Sequence, residues 1–212
     1  MARWEPNAAE RLAYAALELF AERGYETTTV LDIAQRAGLA KSTFFRHFQD
    51  KREVLFREDA LTGPLVGAIA STPTGAAPLE AVACGLDALG RDVFTPAHRA
   101  FTVRRRAVID AHPDLQEREA LKRISLTAAM AQAVARRGLP DLVARVTAEM
   151  GALALKIAYE RWSDVDSTDE FGAVARQALS EVQAAALTVY GAPLRPTTRR
   201  SGHAQQKETP SQ

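Results

Sequence analysis

Apolar residues recur every three or four positions along almost the whole chain, which is the spacing of one face of an α-helix. No stretch shows sustained alternation of apolar and polar residues bounded by turn residues, as a half-buried strand would. Glycine and proline divide the pattern into segments, as at Gly24, Gly63-Pro64 and Gly138. The sequence therefore predicts an all-α protein of about nine helices.

Residues 27–51 carry the pattern of two short helices joined by a tight turn. Thr28 and Thr29 precede an apolar run, and a threonine hydroxyl there can cap the free N–H groups of the helix that begins. Gly38 follows the run and can adopt the left-handed geometry found after a helix end. A second short helix is expected over residues 41–48. This pair predicts a helix-turn-helix.

A helix of this kind fits the major groove of B-DNA, where its first residues reach the base edges. Residues 41–52 contain four bases and one acid, although residues 1–62 contain nine bases and ten acids. Positive charge is therefore concentrated on the recognition stretch, where it can neutralise phosphates. The candidate DNA contacts are Thr28, Thr29, Lys41, Ser42, Thr43, Phe45, Arg46, His47 and Lys51.

The string GYETTTVLDIAQRAGLAKSTFFRHFQDKREVL resembles the N-terminal domain of the TetR family of bacterial transcriptional regulators. The resemblance covers about residues 9–56. It implies a homodimeric regulator, usually a repressor, that binds a palindromic DNA operator and is released by a small ligand. Ala40 replaces the serine that usually caps the recognition helix in that family, and Phe45 replaces a tyrosine that often touches a phosphate. Losing a cap costs about 1 kcal/mol.

The rest of the chain divides into a connector, a helical body and a polar tail. Asp50, with Glu53 three residues on, resembles a capping box, so a helix is expected from there until Gly63-Pro64 breaks it. The expected domains are a DNA-binding domain over 1–52, a ligand-binding and dimerisation domain over 53–190, and a disordered tail over 191–212.

The last two helices carry long apolar stripes, which predict a four-helix dimer interface with two helices from each subunit. The resemblance implies the same arrangement, since the final two long helices form the dimer in that family. An ordinary bundle within one chain is the alternative. The candidate interface residues are Val143, Val146, Met150, Leu153, Val174, Leu179, Val182 and Ala186.

The resemblance also implies an effector pocket among the middle helices. His98, Phe101 and Arg105 share one side of the helix expected from Pro96, and apolar groups with one cation suit an amphipathic acidic ligand. Arg104, Arg105 and Arg106 cannot all face inward, because successive helical residues point apart. The candidate ligand-binding residues are Phe94, His98, Phe101, Arg105, Met130 and Tyr159, with core packing as the alternative for each.

Composition and motifs narrow the functional classes. The single cysteine, Cys84, excludes an internal disulfide framework, and no apolar run of about 18 residues predicts a membrane span. The N-terminal residues lack the apolar region of a signal peptide, so a cytoplasmic protein is expected. The four histidines show no metal-ligand spacing, and no nucleophile motif occurs. No metal, cofactor or enzymatic activity is expected; an all-α enzyme and a non-DNA interaction protein are the alternatives.

Overall fold

The structure, a computed structural model, describes residues 8–56, 60–164 and 168–189. Within these ranges the chain forms nine α-helices, two short 3₁₀ turns at Glu53–Leu55 and Pro96–His98, and no strand, which confirms the predicted all-α fold. The helices are α1 Ala8–Arg23, α2 Val30–Arg36, α3 Lys41–His47, α4 Thr62–Ser71, α5 Pro78–Asp92, α6 Arg99–Asp110, α7 Pro113–Ala135, α8 Asp141–Trp162 and α9 Phe171–Val189. The predicted disordered tail lies outside the described residues.

The first three helices form the head, in which α1 braces the helix pair α2–α3. The Thr29 hydroxyl caps α2 by accepting the Asp32 N–H. The Asp32 carboxylate accepts the Thr29 N–H at 2.9 Å, and the two bonds together form a capping box. Gly38 ends α2 with φ +67°, a left-handed conformation in which a side chain would be strained. Arg11 of α1 donates to the Ala37 carbonyl at 2.5 Å and thereby fixes the turn from behind.

The connector differs from the predicted helix. Asp50 does cap, because its carboxylate accepts the N–H groups of Arg52 and Glu53 at 2.8 and 3.1 Å, but only the three-residue turn Glu53–Leu55 follows. Four successive residues, 53–56, are buried. Four successive residues of an α-helix would point to all sides of it, and one surface could not bury them all. The chain forms a short turn here instead, which packs between head and body. Gly63-Pro64 lies in the first turn of α4 and does not break a longer helix.

Helices α4 to α9 form the body, around a core of mostly aliphatic and alanine side chains, and three aromatic rings pack together where α5 and α8 end and α9 begins. Phe94 stacks on Phe171 with ring centroids 4.3 Å apart, and Trp162 meets Phe171 edge-on at 5.7 Å. Helices α5 and α9 approach each other very closely. A Cβ added at Gly90 would lie 2.9 Å from the backbone nitrogen of Gly172, so only glycine permits this crossing.

The head and body share one apolar core cluster. Ile109 of α6 and Leu115 of α7 are buried with the side chains of α1, α2 and α3, at 4% and 0% exposure. Two aromatic contacts join the same surfaces: Tyr14 lies 4.9 Å from Phe101, and Tyr25 lies 4.8 Å from His112. Burial, followed by the carboxylate of Asp114, raises the pKa of Tyr25 to about 12. The head is therefore packed on the body.

Replacing Gly90 by alanine is expected to destabilise the fold by about 1–3 kcal/mol, because the new methyl group meets backbone that cannot yield. The matched control is Gly67→Ala, on an exposed face of α4 where an added Cβ meets nothing within 4 Å. That change should stabilise the protein by about 0.5–1 kcal/mol. Urea denaturation followed by circular dichroism measures both. Equal effects of the two substitutions would contradict the close crossing of α5 and α9.

Candidate DNA-binding and ligand-binding sites

Helix α3 presents a polar and cationic surface over a buried aromatic anchor. Phe44 is fully buried and Phe48 nearly so, which orients the helix on the head core. Its exposed side carries Lys41, Ser42, Phe45, Arg46 and His47, with Thr43 half-buried beside them. No acidic residue lies within α3. This arrangement leaves the length of α3 open to a negatively charged surface.

Two cations on α3 are free of ion pairs within the described part of the chain. The ammonium of Lys41 lies 5.8 Å from the centre of the Phe45 ring, and the Arg46 guanidinium donates to the neutral hydroxyl of Thr43 at 3.2 Å. Neither contact neutralises the charge. Phe45 itself is 51% exposed, a large apolar surface next to two cations. Such a face offers both phosphate contacts and a hydrophobic contact to a base or sugar.

Three predicted DNA contacts have roles inside the head. Thr28 is 2% exposed and donates its hydroxyl to the Gly24 carbonyl at 2.8 Å, so its side chain is not available to a duplex. Thr29 remains exposed, but its hydroxyl is bonded to Asp32 at 2.6 Å. Lys51 donates to the Tyr25 carbonyl at 2.5 Å and lies over the Tyr25 ring. The capping role of Thr29 agrees with the sequence prediction, whereas the role of Lys51 does not follow from the sequence, because Tyr25 lies 26 residues away and becomes its neighbour only on folding.

A large cleft of about 1360 Å³ opens between the head, α4, α6, α7 and α8. All six candidate ligand-binding residues line it: Phe94, His98, Phe101, Arg105, Met130 and Tyr159. His98 faces Glu10 of α1, with 3.6 Å between the imidazole nitrogen and the carboxylate oxygen. The three consecutive arginines do not all face inward: Arg105 and Arg106 are half-buried and line the cleft, whereas Arg104 is exposed.

Arg105 is the most highly bonded side chain in this wall. Its guanidinium donates to the Leu55 carbonyl at 2.6 Å, to the Glu119 carboxylate at 2.6 Å and to the Tyr159 hydroxyl at 3.3 Å. Burial disfavours its charged form, but the Glu119 carboxylate more than compensates, so the pKa of Arg105 is raised. Burial also raises the pKa of Tyr159. Arg105, the cation that the sequence predicts for ligand binding, is therefore already paired with Glu119.

Sequence reasoning missed the acidic and basic partners at the junction. Glu53 is 6% exposed and forms an ion pair with Arg118 of α7, and Glu119 faces Arg105. Both Arg118 and Glu119 line the cleft. A local pattern could not have identified them, because Glu53 and Arg118 are separated by more than sixty residues and neighbouring charges on α7 face solvent.

The predicted dimer residues fall into two groups. On α8, Val143, Val146 and Leu153 are 42%, 51% and 49% exposed, and Met150 is half-buried. On α9, Ala186 is exposed. By contrast, Val174, Leu179 and Val182 are at most 8% exposed and belong to the core of the body. They are not available to a second copy, because the apolar stripe of α9 is used in packing on α5 and α8.

Among the described residues, no group of three or more His, Cys, Asp or Glu side chains could hold a metal ion. No helix among them has the length and apolar character needed to cross a membrane.

Comparison with known proteins relates the head to a family. The sequence model of the bacterial regulatory proteins of the tetR family matches residues 13–57. The transcriptional regulator TcmR of Streptomyces glaucescens is 40% identical over 84 residues, which are 39% of this chain and 37% of TcmR. HbdR of an Aromatoleum strain is 45% identical over 42 residues, or 20% of this chain and 18% of HbdR. The matched segments therefore span at most 37% of these curated relatives, which are named as transcriptional regulators.

The whole fold also has a counterpart among solved structures. A transcriptional regulator of the TerR/AcrR family from Aquifex aeolicus superposes with a TM-score of 0.52 and 16% identity. The alignment covers 84% of this chain and 99% of the Aquifex chain. At this identity the likeness concerns the fold, and it agrees with an N-terminal helix-turn-helix followed by a helical body.

Proposed function

Because its N-terminal domain is that of the TetR family of bacterial regulatory proteins, we propose that this chain is a DNA-binding transcriptional regulator. In the proposed mechanism it represses transcription as a homodimer on a palindromic operator and is released by a small lipophilic or acidic effector. The observation that carries the proposal is the acid-free, exposed face of α3 within the family-matched segment.

The DNA contacts follow from the exposure of α3. Lys41 and Arg46 supply charge to phosphates, each contact releasing counterions from the duplex. Ser42, Thr43 and His47 supply short polar groups for base edges or backbone, and Phe45 supplies an apolar surface. Thr29 and Lys51 play a smaller part than the sequence alone suggested, since their polar groups are bonded within the head.

The dimer follows from the outer face of α8. Val143, Val146 and Leu153 form an apolar stripe that no other part of the described chain covers. They recur three and seven residues apart, which is the seam of a helical bundle. Met150 extends this stripe, and Ala186 adds a small residue on α9. We propose that a second copy of the chain binds to this stripe. Pairing around a two-fold axis buries the stripes of both copies at once and holds the two heads at a fixed separation.

The effector site is the cleft in the body. Its lining is mainly apolar and includes aromatic residues such as Phe94, Phe101 and Tyr159, and several cations, Arg105 among them, also line it. The volume of about 1360 Å³ exceeds the 300–1,000 Å³ typical of small-ligand pockets, so a long or bulky lipophilic molecule fits. A ligand that prefers a different head position shifts the population away from the DNA-bound form.

Replacing Arg46 by alanine should weaken binding to every duplex and lower the slope of log K against log salt by about one unit per subunit. The duplexes are the region upstream of the protein's own gene and a scrambled sequence, and fluorescence anisotropy over a salt series gives the slopes. Arg91→Ala, an exposed arginine on α5, is the charge-matched control and should leave the slope unchanged. Equal slopes for both variants would reject the phosphate role of Arg46. Wild-type protein that binds no duplex at low salt would reject the proposed function.

Introducing glutamate at both Val146 and Leu153 should convert dimers into folded monomers of 23.0 kDa, because two like charges then face each other in an apolar seam. Light scattering after size exclusion measures the mass. Leu31→Glu places a charge at another exposed apolar position, 47% exposed on α2, and should leave the dimer intact. If the double variant stays dimeric, the α8 stripe is not the interface. Glutamate at Val174 should instead unfold the body, since that residue is in its core.

A further inference from the structure

The turn Glu53–Leu55, which links the head to the body, is held by two arginines of the cleft wall. The Leu55 carbonyl accepts the Arg105 Nε–H at 2.6 Å, and buried Glu53 pairs with Arg118. The guanidinium of Arg105 also lies 5.2 Å from the centre of the next ring, Phe56. Leu55, Phe56, Arg105 and Arg118 all line the cleft. One wall of the cleft is therefore also the attachment of the head.

The charge of Arg105 is balanced before any ligand arrives. Glu119 accepts from both terminal nitrogens of the guanidinium, at 2.6 and 3.4 Å, in a fork arrangement suited to one carboxylate. The Arg105 side chain is 17% exposed and that of Glu119 is 34% exposed, so the pair is partly shielded from water. A second carboxylate cannot join it without repelling Glu119, and an uncompensated charge in such a site is costly.

Other cations, such as Lys122 and Lys156, also line the cleft, but an acidic ligand whose carboxylate reaches Arg105 must compete with Glu119 for it. A guanidinium that turns towards a new carboxylate cannot keep its Nε–H on the Leu55 carbonyl, because the nitrogens are fixed in one plane. An uncharged ligand of equal length fills the apolar lining and leaves the pair alone. The charge of the ligand thus decides whether the junction is disturbed.

We propose that Arg105 is a latch between ligand and head: an acidic amphipathic ligand displaces Glu119 from Arg105, and this exchange releases the Leu55 carbonyl. The inference rests on the proposed function for the role of the cleft. It adds the residues that sense the ligand, the charge that the ligand must carry, and the point at which the head is freed.

The first test compares decanoate with 1-decanol by isothermal titration calorimetry on the full chain. Glu119→Gln keeps the shape of the side chain and removes the competing charge. It should tighten decanoate binding by roughly tenfold, the effect of about 1.4 kcal/mol, and change 1-decanol binding by less than about twofold. Glu117→Gln, an exposed glutamate on the same helix, is the control and should change neither affinity.

Three results would overturn the latch. They are an unchanged decanoate affinity in Glu119→Gln, an equal gain for decanoate and decanol, and no decanoate binding by either protein. A second measurement needs no variant and so does not depend on the folding of Glu119→Gln. The amides of Leu55 and Phe56 donate to Arg52 and Glu53 within the turn, so their hydrogen exchange reports on it. Decanoate should accelerate this exchange and decanol should not; equal exchange with both ligands contradicts the proposal.

Neither measurement involves DNA, so the latch and the proposed function fail separately. A chain that binds its upstream duplex but shows no discrimination by charge retains the proposed function without the latch. A chain whose turn responds to decanoate but which binds no duplex retains the latch and loses the proposed function.

Discussion

The apolar seam between head and body is the constraint on which the rest of the structure depends. Ile109 and Leu115 leave water only because they pack against the helices of the head, and burying a side chain of that size contributes about 1.5–3 kcal/mol. The aromatic contacts of Tyr14 and Tyr25 extend the seam. The head cannot turn on the body without exposing this surface, so the recognition helix has a defined position relative to α6 and α7.

The seam explains why the charged junction matters for function. Glu53 and the Leu55 carbonyl lie at its edge, where buried polar groups need partners, and the body supplies Arg118 and Arg105. These arginines also face the cleft. The same two arginines therefore pair with buried polar groups at the junction and can also contact a ligand in the cleft. In a dimer paired through α8, a shift at two such junctions would alter the spacing of two recognition helices.

Features with local causes could be predicted from the sequence, and features set by distant partners could not. The capping of α2, the turn at Gly38 and the buried face of α3 depend on residues within a few positions, and the structure has them as expected. The capping pattern at Asp50 is compatible with a helix or a short turn, and burial against the body selects the turn. The apolar stripe on α9 predicts that one face is buried but does not identify what covers it. The sequence therefore places Val182 at a dimer interface, whereas in the structure its own chain covers it.

Hydrogen exchange along a urea series tests most directly whether head and body share one core. Amides of α1 and of the α6–α7 junction around residues 109–115 are compared in the full chain. If head and body share one core, both sets of amides exchange through one opening, with the same free energy and the same dependence on urea. If α1 opens at lower urea while the α6–α7 junction stays protected, the head is an independent unit, and the cleft wall cannot set its position.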